Sequence, residues 1–262
     1  MPPHFDSDES EFELAVDLGP VLALRTMGPG ESPDPLWAAL AAERGGADAL
    51  IVPLDGEGGA EGDALAESEA QAVKAQLAIP LILEIEPHPR LIERAALLFP
   101  VEIILAAGRK AAASEDAAAS SDARSSACGL AVSHLHAHAI RVTLSVSPHP
   151  MEIEAARALG FDGVELDTNA LIQARDPASV ALALESLREA AAVARLAGLT
   201  VTAGRGLSAG RIELLAGILD IEGLHVGRML LAEGLLSGWE KAVRNLVAAM
   251  RQARLAALGR HR

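Results

Sequence analysis

Tyrosine is absent from this 262-residue chain and aromatic residues make up only 2% of it, so a core has to be assembled from Leu, Ile, Val and Ala. Cysteine is nearly absent as well. Cys128 stands alone, which excludes an intramolecular disulfide and fits a reducing compartment. Basic residues are outnumbered, with 22 Lys and Arg against 36 Asp and Glu for a formal net charge of -14. That balance argues against nucleic acid and anionic lipid surfaces as partners, because both need a basic face. It also opposes long-range capture of phosphorylated molecules, so any phosphate site has to act through local geometry. No apolar run approaches the ~18 uncharged residues that a membrane helix needs. The stretch Met1 to Glu13 is acidic and polar, unlike a secretory signal. These features predict a cytoplasmic protein. A Walker loop, a nucleophile elbow and a dinucleotide fingerprint are missing too, which disfavours nucleotide hydrolysis, serine hydrolysis and hydride transfer.

What is present is rhythm. Half of the residues are hydrophobic, and short apolar runs alternate with alanine-rich helical patterns, the signature of βα units around a parallel sheet. Eight strands are predicted, near Leu14–Leu18, Ala49–Leu54, Leu81–Ile85, Glu102–Ala106, Arg141–Val146, Gly163–Asp167, Thr200–Ala203 and Gly223–Val226. Helical patterns fall near Asp34–Arg44, Asp63–Leu77, Pro89–Leu98, Arg124–Ala139, Met151–Leu159, Pro177–Ala197, Ser208–Ile218 and Leu230–Leu258. Gly45-Gly46, Gly160 and Gly198 mark helix ends, and Pro35, Pro89 and Pro177 mark starts. The expected architecture is a single-domain (β/α)8 barrel over 14–262 behind an acidic tail at 1–13, a size near the ~250 residues typical of the class. Two segments break the rhythm: a Gly-rich acidic loop at 55–62 and a Ser/Ala/Asp stretch at 111–126, both expected to be flexible.

The most informative local feature is a pair of glycine-arginine turns, Ala203-Gly204-Arg205-Gly206 and Val226-Gly227-Arg228. They close the seventh and eighth predicted strands, where barrels commonly hold phosphate. Backbone N–H groups, a guanidinium and a helix N-terminus can converge there on one anion. Side chains at strand ends are the other candidates: Asp17, Arg25, Glu84, Glu165, Asp167, Thr168 and His225. Glu84 interrupts the run Leu81-Ile82-Leu83-Glu84-Ile85. Unpaired there, it would have a raised pKa and serve as a general base; paired with Arg25 or Arg205, it would only hold strands together. Glu165 repeats the pattern, whereas Asp17 and Asp167 read equally well as loop caps. His225 reads either as a functional group or as a buried, satisfied imidazole. His134, His136 and His138 lie at a helix end with no carboxylate to complete a metal signature, so they read as an exposed terminus, and no metal is expected.

The segments Leu24-Arg25 with Ser32-Pro33-Asp34-Pro35, Ala41 to Ala49, Leu83-Glu84-Ile85, Val164-Glu165-Leu166-Asp167-Thr168, Val201 to Leu207 and Val226-Gly227-Arg228 resemble pyridoxine 5′-phosphate synthase in order and spacing, from about Leu14 to Arg254. The resemblance implies an octameric barrel. It implies condensation of 1-deoxy-D-xylulose 5-phosphate with 3-amino-2-oxopropyl phosphate, without metal or organic cofactor, to form the vitamin B6 ring. By position, Glu84 matches the family's catalytic glutamate, Glu165 its second active-site glutamate and Arg25 an arginine near the substrate, while Gly206 and Gly227 match glycines that approach phosphate.

Other positions depart from the family pattern. Asp17-Leu18-Gly19-Pro20 stands for Asn-x-Asp-His, Pro53-Leu54-Asp55 for His-x-Arg, Arg205 for the histidine of Ala-Gly-His-Gly, and Arg228 for that of Gly-His. Proline and arginine cannot exchange protons near neutrality. The expectation is therefore a diverged member that keeps an anion pocket for a phosphorylated small molecule and has lost the full condensation. One alternative is a working synthase in which His225 or Glu165 takes over proton transfer. The other is a non-enzymatic scaffold or regulatory protein.

Overall fold

A computed structural model of the chain describes residues 12–27, 31–54, 64–106 and 121–261. Eight parallel strands close a barrel in sequence order: β1 (Glu13–Asp17), β2 (Ala49–Pro53), β3 (Leu81–Ile85), β4 (Glu102–Leu105), β5 (Arg141–Val146), β6 (Gly163–Asp167), β7 (Thr200–Gly204) and β8 (Gly223–Val226). The last strand pairs with the first, with Leu14 opposite Leu224 and Ala15 opposite His225. This is the predicted single-domain (β/α)8 barrel.

Alternation along each strand divides the core in two. Outward residues such as Leu14, Val16, Leu50, Val52, Leu83, Ile103, Val164, Val201 and Leu224 are buried against the surrounding helices in one large aliphatic cluster. Inside the barrel, Ala15, Ile51, Ile82 and Ile104 form a separate small cluster from β1 to β4. The interior positions of β5 to β8 are polar or small, including Thr143, Ser145, Gly163, Glu165, Thr200, Thr202, Gly223 and His225. At mid-height one wall of the lumen is therefore aliphatic and the other polar or small, while Glu102 on β4 and Glu84 on β3 lie beyond the aliphatic layer.

Local chemistry sets the helix limits. Asp34 caps the helix Pro35–Gly45 by accepting from the Leu36 N–H at 2.8 Å, and Asp176 caps Pro177–Leu196 by accepting from Ala178 and Ser179. The glycine stops are left-handed as expected, with φ of 95° at Gly46, 84° at Gly160 and 79° at Gly198.

Several expectations need correction. The final helix is two, Arg228–Ser237 and Trp239–His261, because Gly238 between them has a φ of 91° that no continuous helix accepts. The helix expected over Ser208–Ile218 is reduced to a 3-10 turn at Ala209–Arg211 and a short helix at Ile212–Ala216. Short helices at Gly19–Leu22 and Asn169–Gln173 were not anticipated; at four and five residues they are too short to show periodicity. Positions 121–126, expected within a flexible loop, open the helix Ser121–Ala137, because the alanine-containing helical pattern extends further toward the N-terminus than its periodicity shows. The loop expected at 55–62 and positions 111–120 of the other lie outside the described residues.

One cation inside the helical layer escaped notice in the sequence. Arg254, 2% exposed, donates from the last helix to the carbonyls of Ala216, Ile218, Leu219 and Ile221, and its guanidinium lies 4.6 Å from the Phe12 ring centroid. It closes the carbonyls that the short helix Ile212–Ala216 leaves open before β8. Among the described residues, no helix is long and apolar enough to cross a membrane.

Candidate functional site

At the C-terminal end of the lumen four ionisable groups, from three strands and the turn after β7, form a chain. His225 on β8 contacts Glu165 on β6 through Nδ1 and Oε1 at 2.8 Å. The other oxygen of Glu165 accepts from Arg205 Nε at 3.1 Å, and Arg205 Nη2 reaches Glu84 Oε1 on β3 at 3.4 Å. Ser145 on β5 accepts from Arg205 Nε at 2.5 Å. The register explains the convergence: Glu165 lies beside Ser145 and Thr202, so these side chains all point inward at one level.

The backbone at Arg205 makes the arrangement possible. Its φ is 65°, left-handed, an uncommon conformation for a residue with a Cβ and costly by on the order of 1 kcal/mol. This turn sends the side chain back over the barrel mouth instead of out to solvent. Thr168 holds the same turn: its hydroxyl is shared between the carbonyls of Gly204 at 2.8 Å and Gly206 at 2.5 Å. Gly204 is required for packing, since a Cβ there would lie 2.6 Å from Glu165 Oε1. At Gly206 a Cβ would lie 2.5 Å from Asn169 Oδ1.

Burial and charge reinforce one another. Glu165 is almost wholly buried, which opposes its ionisation, but the hydrogen bond and charge of His225, followed by the charge of Arg205, hold its pKa down to about 2. For His225 burial again works against the charge, and the hydrogen bond to Glu165 outweighs it, so the imidazole pKa is raised with help from Glu165, Glu102 and Asp17. Arg205 is likewise raised: burial opposes the cation, and Glu165 and then Glu84 override it. The site thus sets two acidic side chains, Glu165 and Glu84, against Arg205 and His225, and Asp167 adds a further negative charge that acts on Arg205.

The other candidates lie apart from this chain. Asp17 accepts from the Gly19 N–H at 2.8 Å and lies against Gly227, where a Cβ would be 2.7 Å from the Asp17 carbonyl oxygen and 2.9 Å from Oδ2. These two residues form the β8–β1 corner. Arg228, exposed at the start of its helix, has no hydrogen bond or ion pair among the described residues. Arg25 is turned toward Glu69, 3.0 Å away. Asp167 accepts from the backbone and side-chain amides of Asn169. His136 pairs with Asp162 at 2.9 Å, while His134 and His138 contact each other with ring centroids 4.8 Å apart.

Of the two alternatives open for Glu84, the ion pair with Arg205 is realised, not the unpaired carboxylate. Ser145 was missed altogether; its only sequence signal is strand alternation, which gives it the inward parity of Arg141 and Thr143.

A model of the family described as Pyridoxal phosphate biosynthesis protein PdxJ matches residues 14–252. A pyridoxine 5′-phosphate synthase from Magnetococcus marinus is 31% identical over 240 residues, covering 92% of this chain and 97% of the relative. Solved structures with the same fold include a thiamine phosphate pyrophosphorylase from Pyrococcus furiosus, with a TM-score of 0.59 at 13% identity over 94% of this chain and 98% of that one. The N-(5′-phosphoribosyl)anthranilate isomerase from Pyrococcus furiosus follows at a TM-score of 0.54 and 15% identity, covering 94% and 99%. At such identities these two speak for the fold alone.

Proposed function

The chain belongs to the Pyridoxal phosphate biosynthesis protein PdxJ family, and on that premise we propose that it binds a phosphorylated small molecule at the mouth of β7 and β8 but does not carry out the full family condensation. The observation that supports this most is the left-handed Arg205, whose guanidinium is directed onto Glu165 and Glu84. A guanidinium fixes charge and recognises anions, and it cannot relay protons at physiological pH. Glu165, held near pKa 2, is too weak a base to take up protons at neutrality. The groups that remain bind and polarise. Gly204, Gly206 and Thr168 shape the turn, Gly227 and Asp17 the adjoining corner, and Arg228 supplies a second, exposed cation.

The test is direct. Purified protein given both family substrates is expected to form no pyridoxine 5′-phosphate, while phosphorylated metabolites raise its melting temperature, since a ligand selective for the native state stabilises it by about 2.7 kcal/mol at 100 times Kd. Ring formation at an ordinary turnover overturns the proposal.

A second reading, an active synthase, draws support from the His225–Glu165 contact, because an imidazole oriented by a carboxylate is a familiar acid–base unit. It predicts rescue of a B6-auxotrophic cell by the wild-type chain and loss of rescue with Glu84→Gln. In either reading we propose a homo-oligomer, supported by Leu235 and Leu236, which are 74% and 92% exposed in a single chain. Sedimentation velocity tests it.

A further inference from the structure

Arg205 is held unequally by its partners. Its Nε is shared by Ser145 at 2.5 Å and Glu165 at 3.1 Å, whereas its Nη2 meets Glu84 across the barrel mouth at 3.4 Å. Glu165 is the more buried carboxylate, with 4% of its side chain exposed against 14% for Glu84, and it is also tied to His225. If one carboxylate gives way to an incoming anion, it is Glu84, which holds the longer contact from the opposite wall and has better access to water.

We propose that Glu84 is an exchangeable internal counter-ion of Arg205, occupying the anion position until a dianionic phosphate group displaces it. This deepens the anion-pocket reading and rests on it. Two physical points favour exchange. A phosphate dianion carries more charge than a carboxylate and presents several oxygens to the planar guanidinium fork, so it gains more from the same cation. The contact that has to break is the longest in the chain His225–Glu165–Arg205–Glu84, at 3.4 Å, and Glu84 is the more exposed of its two carboxylates, so displacement costs least there. Glu84 acts as a selectivity filter as well. A monocarboxylate ligand, no more charged than Glu84 itself, gains nothing by replacing it.

Inorganic phosphate at pH 8 is the probe, its affinity measured by titration calorimetry and by thermal shift. The expected result is weak binding to the wild-type chain, binding tighter by about tenfold in Glu84→Gln, where the competing charge is gone and the shape is kept, and loss of binding in Arg205→Ala. Glu86→Gln removes the same charge from an exposed position two residues away and is expected to change affinity less than about twofold, separating a local counter-ion from overall charge. Glu84→Ala reads the same quantity if Glu84→Gln does not fold. The wild-type chain gives an independent reading, with phosphate outcompeting acetate by more than about tenfold. Phosphate binding by the wild type that is unchanged or weakened in the Glu84 variants, or matched by acetate, overturns the counter-ion role and leaves the pocket standing. Absence of phosphate binding in every variant overturns the pocket and the counter-ion together.

Discussion

The two ends of one barrel each hold an arginine among acids, and they are built differently. At the N-terminal end, Arg141 at the start of β5 lies 3.8 Å from Glu102 at the start of β4 and donates to Thr200 at 3.0 Å, with 36% of the arginine side chain exposed. At the C-terminal end, the Arg205 side chain is 21% exposed, and Glu165 and His225 are at 4% and 6%. The lower pair sits in ordinary backbone, and although Glu102 is only 13% exposed, its partner Arg141 lies next to water and can rehydrate if the carboxylate moves. The upper chain is closed off and anchored by a residue with φ at 65°. The contrast teaches that an acid–arginine pair inside a barrel is not in itself a functional sign. Burial, strain and convergence from several strands distinguish the upper end, which is also the face where barrel chemistry is found.

The largest expected effect comes from removing the central carboxylate. Glu165→Ala leaves His225 and Arg205 without their shared partner and is expected to cost about 3–5 kcal/mol in urea unfolding. Glu102→Ala removes a carboxylate 3.8 Å from a guanidinium that stays 36% exposed and keeps its bond to Thr200, and is expected to cost less, about 1–2 kcal/mol. Equal losses at both ends break the comparison.

Acidity separates the ends next. The folded pKa of Glu165, about 2, lies below its ordinary 4.5, so the stabilisation it supplies is complete above 4.5 and is lost as pH falls toward 2. The folded pKa of His225 lies above 6.5, so its share is complete below 6.5 and is lost as pH rises through the raised value. Both limbs describe one contact, which makes stability greatest between pH 4.5 and 6.5; the acid limb, from 4.5 to about 2, is worth on the order of 3 kcal/mol at ~1.4 kcal/mol per pKa unit. His225→Gln is expected to flatten the alkaline limb in pH-dependent urea melts. A limb that persists in this variant assigns it to another group.

Glycine substitutions sharpen the same contrast. At the lower end, a Cβ at Gly163 would lie 2.2 Å from Thr200 Oγ1; at the upper end, one at Gly204 would press on Glu165. Gly163→Ala and Gly204→Ala are each expected to cost about 1–3 kcal/mol of stability. Only Gly204→Ala is expected to alter phosphate affinity as well, which calorimetry on both variants decides. The smallest effect belongs to Arg25. Its pair with Glu69 has side chains 29% and 38% exposed, and Arg25→Ala is expected to cost under about 1 kcal/mol. Phosphate affinity is expected to stay within about twofold, a change of under ~0.5 kcal/mol; a larger loss brings Arg25 into the pocket.

Reading the sequence went furthest where signals are local and periodic. Apolar runs of four to six residues marked all eight strands, and Gly46, Gly160 and Gly198 marked helix ends, because strand alternation and left-handed backbone leave residue-type signatures. It failed at Gly238 because a single glycine inside an apolar helical pattern does not reveal its φ. It failed at Ser145 because a serine in a strand has no distinguishing pattern. It failed at Arg254, whose four carbonyl partners come from a turn far away in the sequence. For His225 it left two readings open, functional group or buried imidazole; strand parity turns the ring inward, onto Glu165.

By itself, the sequence determined the repeating βα architecture, the aliphatic core and the placement of a glycine-arginine turn at the end of β7, all of which follow from short-range pattern and composition. Only the tertiary structure decided what that arginine does. Barrel closure brings β3, β5, β6 and β8 around it, and the left-handed turn directs its guanidinium onto Glu165 and Glu84. Contacts of this kind join residues more than a hundred positions apart, as Glu84 and Arg205 are, and no window along the chain encodes a distance that is set by closing the sheet.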